Sequence, residues 1–207
     1  MGTLEKVLAS LCVIAGILLI DRFRNLLPLL ADSIFRARGS SSLENSVRAN
    51  NDRNLLAVSL MLPALLVIHR YRLYDAAFLR DLPSPWRLLA LAGVFAVWIL
   101  LSWLLFLAFK PRRGYDYYLR AHRASATYFI LFMLLMLPTL GILALFRLPD
   151  DIIRMVLYVE MAVVYFIFLI RRTQILALSC NPFRTFLYLC GLEILPAVLL
   201  VISAVML

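Results

Sequence analysis

The sequence is poor in the residues that build metal sites and disulfide frameworks. It holds three cysteines and two histidines among 207 residues. Cys12, Cys180 and Cys190 are odd in number, lie in or beside apolar runs and form no Cys-x-x-Cys pair. A disulfide framework or a zinc site is therefore not expected. We predict neither a bound metal nor a cofactor.

The sequence also lacks the familiar catalytic patterns. It contains no His-Glu-x-x-His, no Gly-x-Ser-x-Gly, no Walker loop and no aspartate-rich signature of lipid phosphotransferases. These absences count against the common enzyme classes, although an intramembrane enzyme can assemble its site from distant residues. We therefore predict no catalytic residue and favour a protein that is not an enzyme.

Charge is scarce as well. Charged residues make up 16% of the chain, whereas 64% of the residues are hydrophobic. A soluble domain of this length cannot cover so many apolar side chains with polar surface, so we predict an integral membrane protein. The formal net charge of +9 indicates lipid headgroups as partners, because excess Lys and Arg in a membrane protein usually lie in cytoplasmic loops. No nucleic-acid partner is expected.

Six apolar runs set the predicted architecture. One crossing needs about 20 residues, so the length leaves room for six spans with short loops. We predict an all-α fold, a polytopic membrane helical bundle of about six transmembrane helices that forms a single domain over residues 1–207. A polar loop is expected over residues 38–54. The predicted spans cover residues 4–20, 55–68, 86–109, 128–146, 152–170 and 186–207.

The first run, residues 4–20, is short for a crossing. A cleaved signal peptide is the competing interpretation, but Glu5 offsets Lys6 and residues 17–20 offer no small-residue cleavage site. We favour a retained first helix, and whether this helix crosses the whole membrane stays open.

Two carboxylates lie deep within apolar runs, Glu160 in the fifth predicted span and Glu193 in the sixth. A charge held inside hydrocarbon costs about 2.5–3.5 kcal/mol, so such residues normally face other helices or an aqueous cavity. Pro196 cannot donate to the helix ladder and leaves a free carbonyl near Glu193. These residues are either proton or cation sites or structural groups, bonded to a tyrosine, an amide or an arginine such as Arg154 or Arg123. We favour the structural interpretation.

A second polar group follows the third predicted span. It gathers arginines, tyrosines and a histidine, whose side chains can hold a lipid phosphate at headgroup level. An ordinary interfacial belt uses the same residue types, and we favour that interpretation. The candidate headgroup residues are Arg112, Arg113, Tyr115, Tyr117, Arg120, His122 and Arg123.

Four short segments carry a resemblance to a known family. The most specific is Leu-Tyr-Leu-Cys-x-Leu-Glu-Ile-Leu-Pro at 187–196, and the others are Tyr-Asp-Tyr at 115–117, Leu-Pro at 137–138 and Phe-Arg-x-Arg at 35–38. Together they resemble an uncharacterised family of bacterial integral membrane proteins, a domain of unknown function, over nearly the whole chain. The resemblance implies a protein of the inner membrane of a Gram-negative bacterium. It implies no catalytic residue, cofactor or substrate.

Three functional hypotheses are compatible with these patterns. The leading one is a non-enzymatic inner-membrane module that lies in the lipid bilayer and associates with other membrane proteins or with itself. Short loops, the missing catalytic motifs and the polar groups inside helices motivate it. The alternative is a small proton- or cation-coupled transporter that uses Glu160 and Glu193, helped by prolines in three of the spans. The third is a lipid-modifying membrane enzyme.

The distribution of Lys and Arg predicts the orientation in the membrane. The first, third and fifth loops hold 14 of these residues, and the opposite side holds 7. Since the side richer in positive charge is cytoplasmic, both termini are expected in the periplasm. Alkaline phosphatase reporters should therefore be active at either terminus and inactive between Gly39 and Asn51. An inactive reporter at the C-terminus beside an active one at the N-terminus would mean that the number of spans is wrong.

Overall fold

The computed structural model describes residues 3–35, 47–80, 82–108, 115–177 and 182–206. Within these ranges every regular element is a helix, so the predicted all-α fold is confirmed. The elements are α1 (Thr3–Phe35), α2 (Val47–Tyr71), α3 (Ala77–Arg80), α4 (Ser84–Ala108), α5 (Tyr115–Leu145), α6 (Asp150–Ala177), α7 (Pro182–Leu189), a π-helical turn (Cys190–Ile194) and α8 (Leu195–Met206).

Helix length and apolar composition make this a multi-pass membrane protein. In the described ranges five segments are long and apolar enough to cross a membrane. The first apolar run, 4–20, lies in α1, which is not one of the five, so its crossing stays a prediction. The five candidate spans are Asn50–Tyr71, Pro85–Ala108, His122–Leu145, Asp150–Ala177 and Thr185–Ala204.

The helices extend beyond the apolar runs into segments expected to be loops. α2 begins at Val47, so the second half of the predicted polar loop 38–54 is helical. The charged residues there make specific contacts: Arg22 in α1 pairs with Asp52 at 2.9 Å, and the buried Arg53 donates to the side chain of Asn50. Hydropathy marks only the apolar part of a helix, and these polar contacts extend α2 beyond it.

The linker before the fourth predicted span is helical too. α5 begins at Tyr115, whereas the apolar run begins near Tyr128. Two other helices begin with proline in the first turn: α4 begins at Ser84 with proline next, and α7 begins at Pro182. The N–H groups of a first turn have no carbonyl partner within the helix, so the absence of the proline N–H breaks no hydrogen bond.

The described chain divides into two compact units. The first unit comprises Met1–Leu66 and Arg123–Val164, and the second comprises Val67–His122 and Tyr165–Leu207. α2, α5 and α6 contribute residues to both units. The expectation of one integral membrane domain over residues 1–207 stays a prediction.

Each unit has an apolar core of its own. In the first unit Leu26, Leu56 and Ile130 bring α1, α2 and α5 together. In the second unit Phe106 of α4 packs on Leu192 of the π-turn, with partly buried neighbours from α5 and α7. The cores therefore fix how the polar side chains of each unit are placed.

One stripe of α6 is turned toward protein along most of the helix. Its members recur every three or four residues, which is the period of one helix face. Six of the seven are no more than 7% exposed, and Glu160 is partly exposed. Two charged residues thus lie on the protein-facing side of a membrane helix. The stripe comprises Ile153, Leu157, Glu160, Val164, Phe168, Arg172 and Leu176.

Two membrane helices end on an arginine in the left-handed conformation. Arg72 after α2 has φ 49° and Arg147 after α5 has φ 50°. At the second end the N–H groups of Arg147 and Leu148 donate to the carbonyls of Ala144 and Leu143, at 3.1 and 3.4 Å. This is the bonding of a Schellman cap, whose left-handed position is usually glycine.

Replacement of Arg147 by glycine should stabilise the protein by about 1 kcal/mol, because glycine lacks the Cβ that disfavours left-handed backbone. Unfolding of the purified protein in mild detergent, followed by circular dichroism, measures the change. Arg147→Ala keeps the Cβ and should give no comparable gain. Equal stabilisation by both variants would show that the arginine side chain, not the backbone, is the source of the cost.

Candidate functional site

A buried ion pair joins α6 to the π-turn of the last helix. The Arg172 guanidinium donates through Nη1 to Oε1 of Glu193. The side chain of Arg172 is 2% exposed and that of Glu193 is 16% exposed. Both charges are therefore largely removed from solvent, and each is the counter-ion of the other.

The helix widens where Glu193 is placed. Residues Cys190–Ile194 form a π-helical turn, and the N–H of Leu195 closes it by donating to the carbonyl of Cys190. Pro196 follows, is fully buried and has no N–H to donate. A single π-turn within an α-helix frequently marks a functional site. Here it carries Glu193, the charged residue of the candidate span Thr185–Ala204.

Aromatic residues of α6 hold both partners of the ion pair. The Tyr165 hydroxyl donates to the backbone carbonyl of Glu193 at 3.2 Å. The Arg172 guanidinium carbon lies 5.6 Å from the centre of the Phe168 ring, which places a cation over an aromatic face. Side chains four and seven residues before Arg172 thus fix the guanidinium and the turn that it binds.

A stacked histidine lies close to the same guanidinium. The His122 imidazole of α5 stacks on the Phe106 ring of α4, with centroids 4.1 Å apart and planes inclined by 26°. His122 and Tyr165 are both within electrostatic range of Arg172. We call these residues, Arg172, Glu193, Tyr165, Phe168, Phe106 and His122, the Arg172 cluster.

The chemistry of the Arg172 cluster suits a structural brace. Glu193 is already neutralised by a guanidinium, so it needs no proton to be tolerated in an apolar segment. The pair connects α6 with the last helix by a charge-assisted hydrogen bond, which is stronger than a neutral one. The tyrosine hydroxyl adds a second polar bond between the same two helices.

The second intramembrane carboxylate lies in the first unit and has a different environment. Oε1 of Glu160 accepts a hydrogen bond of 3.2 Å from the hydroxyl of Thr139, which also lies 2.5 Å from the carbonyl of Leu135. Thr139 follows Pro138 inside α5. Oε2 of Glu160 is buried and has no hydrogen-bond partner among the described residues.

The candidate headgroup residues are only partly described. Arg112 and Arg113 lie outside the described residues, and the side chains of Tyr115, Tyr117 and Arg120 are also not described although their backbone belongs to α5. His122 belongs to the Arg172 cluster, and Arg123 is partly exposed. A role in headgroup binding stays a prediction for the whole set.

No metal-binding group is evident in the described part of the chain. No three His, Cys, Asp or Glu side chains there are placed to hold one ion.

Comparison with known proteins gives one match. Residues 7–203 match the family described as Domain of unknown function (DUF4271). The chain belongs to this family. No curated protein and no solved structure matches the chain. Membership confirms the predicted resemblance and assigns no activity to this DUF4271 protein.

The partner of Glu193 in this DUF4271 protein is one that sequence reasoning missed. The sequence suggested a tyrosine, an amide or an arginine such as Arg154 or Arg123 as a partner of the intramembrane carboxylates, whereas Arg172 makes the ion pair with Glu193. In the sequence Arg172 lies just after the fifth predicted span, 152–170, beside Arg171. The helical position of Arg172 distinguishes it from Arg171. Arg172 follows Phe168 by four residues and so continues the protein-facing stripe of α6.

Removal of either partner of the ion pair should destabilise the protein strongly. Arg172→Leu and Glu193→Leu each leave one buried charge without its counter-ion, which costs about 3–5 kcal/mol. The double variant removes both charges and should recover most of that loss. Unfolding of the purified variants in mild detergent measures each free energy.

Arg171→Leu is the matched control, because the neighbouring Arg171 side chain is less buried and donates to Gln174 at 2.9 Å in its own helix. It should lower stability by less than about 1 kcal/mol. If the double variant were as unstable as the sum of the two single variants, Arg172 and Glu193 would not act as a pair.

Proposed function

We propose that this protein is a non-enzymatic module of the bacterial inner membrane, with both termini in the periplasm. It associates with another membrane protein or with a second copy of itself through one face of α4. The supporting observation is that α4 is the most apolar of the five candidate spans and the least buried. In its most apolar window 6% is buried, against 28% in the candidate span of α5.

The uncovered side of α4 contains small residues. An added Cβ at Gly93 would meet no atom of the described residues within 4 Å, so packing within that part of the chain does not require the glycine. Glycine inside a helix lowers stability by about 0.5–1 kcal/mol relative to alanine, and contact with lipid does not offset that loss. Small residues on membrane helices allow close approach of another helix. We define the α4 face as Leu89, Gly93, Ala96, Val97, Leu100 and Leu104, all of which are exposed.

The Arg172 cluster supports the same proposal from another direction. A module that binds other membrane proteins needs a stable arrangement of its own helices. The ion pair between Arg172 and Glu193 supplies such an arrangement without leaving the carboxylate of Glu193 free. One of the two carboxylates considered for transport therefore has a structural explanation.

Photocrosslinking in native membranes tests the proposal. A photoreactive residue at Val97, in the α4 face, should give one protein adduct of defined mass. The same residue at Met155 is the matched control, because Met155 of α6 is 69% exposed and Val97 is 66% exposed. Gly93→Leu should abolish the adduct at unchanged protein abundance, since the larger side chain enters open space. Lipid adducts alone at both positions would contradict the proposal.

Proton- or cation-coupled transport is the second candidate, and Glu160 favours it. Its buried Oε2 has no hydrogen-bond partner among the described residues, and Pro138 interrupts the ladder of the helix that carries Thr139. A protein that transports should move a solute across proteoliposomes under a proton gradient. Glu160→Gln should then stop the flux with folding retained, whereas Thr139→Ser, which keeps the hydroxyl donor, should preserve it. An absence of flux for the unaltered protein across a broad solute panel would count against transport.

A further inference from the structure

The connection between α2 and α4, of which residues 72–80 and 82–83 are described, contains buried side chains of the second unit. Ala76 is 0% exposed and Leu79 is 1% exposed. The buried Tyr74 places its hydroxyl 2.7 Å from that of Ser203 in α8. The connection follows one candidate span and precedes the next, so it lies where these spans reach the membrane surface. The contacts of Tyr74, Ala76 and Leu79 fix its conformation there.

This connection and its flanks carry exposed arginines. Arg70 and Arg72 are exposed at the end of α2, and the side chain of Arg80 is 61% exposed. Arg72 occupies the left-handed position of the helix end, where the N–H of Leu73 donates to the carbonyl of Ile68 at 3.1 Å. The backbone that presents Arg72 is therefore hydrogen-bonded rather than free to move.

One aspartate organises the arginines of this connection. The carboxylate of Asp75 lies 3.3 Å from Nε of Arg80 and 4.0 Å from Nη2 of Arg87. Nε of Arg87 donates to the carbonyl of Leu79 at 2.9 Å, and the Arg87 side chain is only 15% exposed. Arg87 is thus directed inward and Arg80 outward. Because the one carboxylate of Asp75 faces the guanidinium groups of Arg80 and Arg87, these three side chains together keep a positive charge.

We propose that this connection is a binding site for the headgroup of an anionic phospholipid. The guanidinium groups of Arg72 and Arg80 bind the phosphate oxygens, for which an arginine fork is well matched. The exposed rings of Phe78 and Trp86, 43% and 62% exposed, lie at the boundary between headgroups and acyl chains. Asp75 is the internal counter-ion of Arg80, and the guanidinium of Arg87 faces the same carboxylate.

The charge count gives an independent reason to expect an anionic ligand here. The sequence from residue 70 to 87 holds four arginines and two aspartates, one of which, Asp81, lies outside the described residues. These arginines lie on the side that the overall Lys and Arg bias predicts to be periplasmic. The positive-inside rule therefore does not explain them, whereas a headgroup site does.

Quenching of Trp86 fluorescence by brominated lipids tests the proposal. The full chain with Trp98→Phe and Trp103→Phe keeps Trp86 as its one tryptophan. In phosphatidylcholine vesicles, a few mole per cent of brominated phosphatidylglycerol should quench Trp86 more than the same fraction of brominated phosphatidylcholine. Arg72→Gln and Arg80→Gln should each reduce this enrichment about fivefold. Asp75→Asn should increase it, because the variant removes the internal counter-charge.

Arg147→Gln is the matched control, since Arg147 is also exposed and left-handed at the end of a membrane helix. It should leave the enrichment unchanged. Arg80→Lys keeps the charge and should retain most of it, which separates loss of charge from loss of fold. Equal quenching by both lipids in the protein that carries only Trp98→Phe and Trp103→Phe would overturn the proposal. Displacement of the lipid by millimolar inorganic phosphate would also overturn it in favour of a soluble phosphate site.

Discussion

The placement of the last helix depends on how one carboxylate is neutralised. Glu193 lies in the middle of a helical segment that is otherwise apolar enough to cross a membrane, and the buried Arg172 of α6 is its counter-ion. Neither charge is tolerable there alone, because an isolated ion in a medium of low dielectric constant loses its hydration without compensation. The pair therefore constrains which side of α6 meets the π-turn. Tyr165, on the same helix, reinforces that choice through the backbone carbonyl of Glu193.

Two charged residues of α6, Glu160 and Arg172, lie in different environments. The protein-facing stripe contains Glu160 in the first unit and Arg172 in the second, on one continuous helix. Arg172 has a carboxylate partner, whereas Glu160 has a threonine hydroxyl at one oxygen and no hydrogen-bond partner at the other among the described residues. A paired charge rigidifies a helix contact, and a half-satisfied carboxyl group is better suited to exchange of a proton or a ligand. This contrast is the reason why we propose a structural role for Glu193 and consider Glu160 as the candidate for transport.

The second unit has two surfaces that differ in charge and polarity. Its α2–α4 connection combines buried small and apolar side chains with outward arginines that an aspartate organises. Its α4 face is apolar and contains Gly93, at which an added Cβ would meet open space. The first surface suits charged headgroups and the second suits another helix, because guanidinium groups bind phosphate and small residues permit close helix packing. These two surfaces of different chemistry in one unit are the basis of the two proposals, association through α4 and lipid binding at the α2–α4 connection.

The sequence by itself determined the membrane class and the all-α fold, and it singled out Glu160 and Glu193 as charges inside apolar runs, because these results follow from local hydropathy and from the cost of a charge in hydrocarbon. It did not determine the polar extensions of α2 and α5 or the π-turn. The choice of Arg172 over Arg154 and Arg123 as the partner of Glu193 was likewise decided by tertiary structure. That choice depends on which faces of two helices distant in sequence meet, and hydropathy along one chain does not encode the rotation of one helix against another.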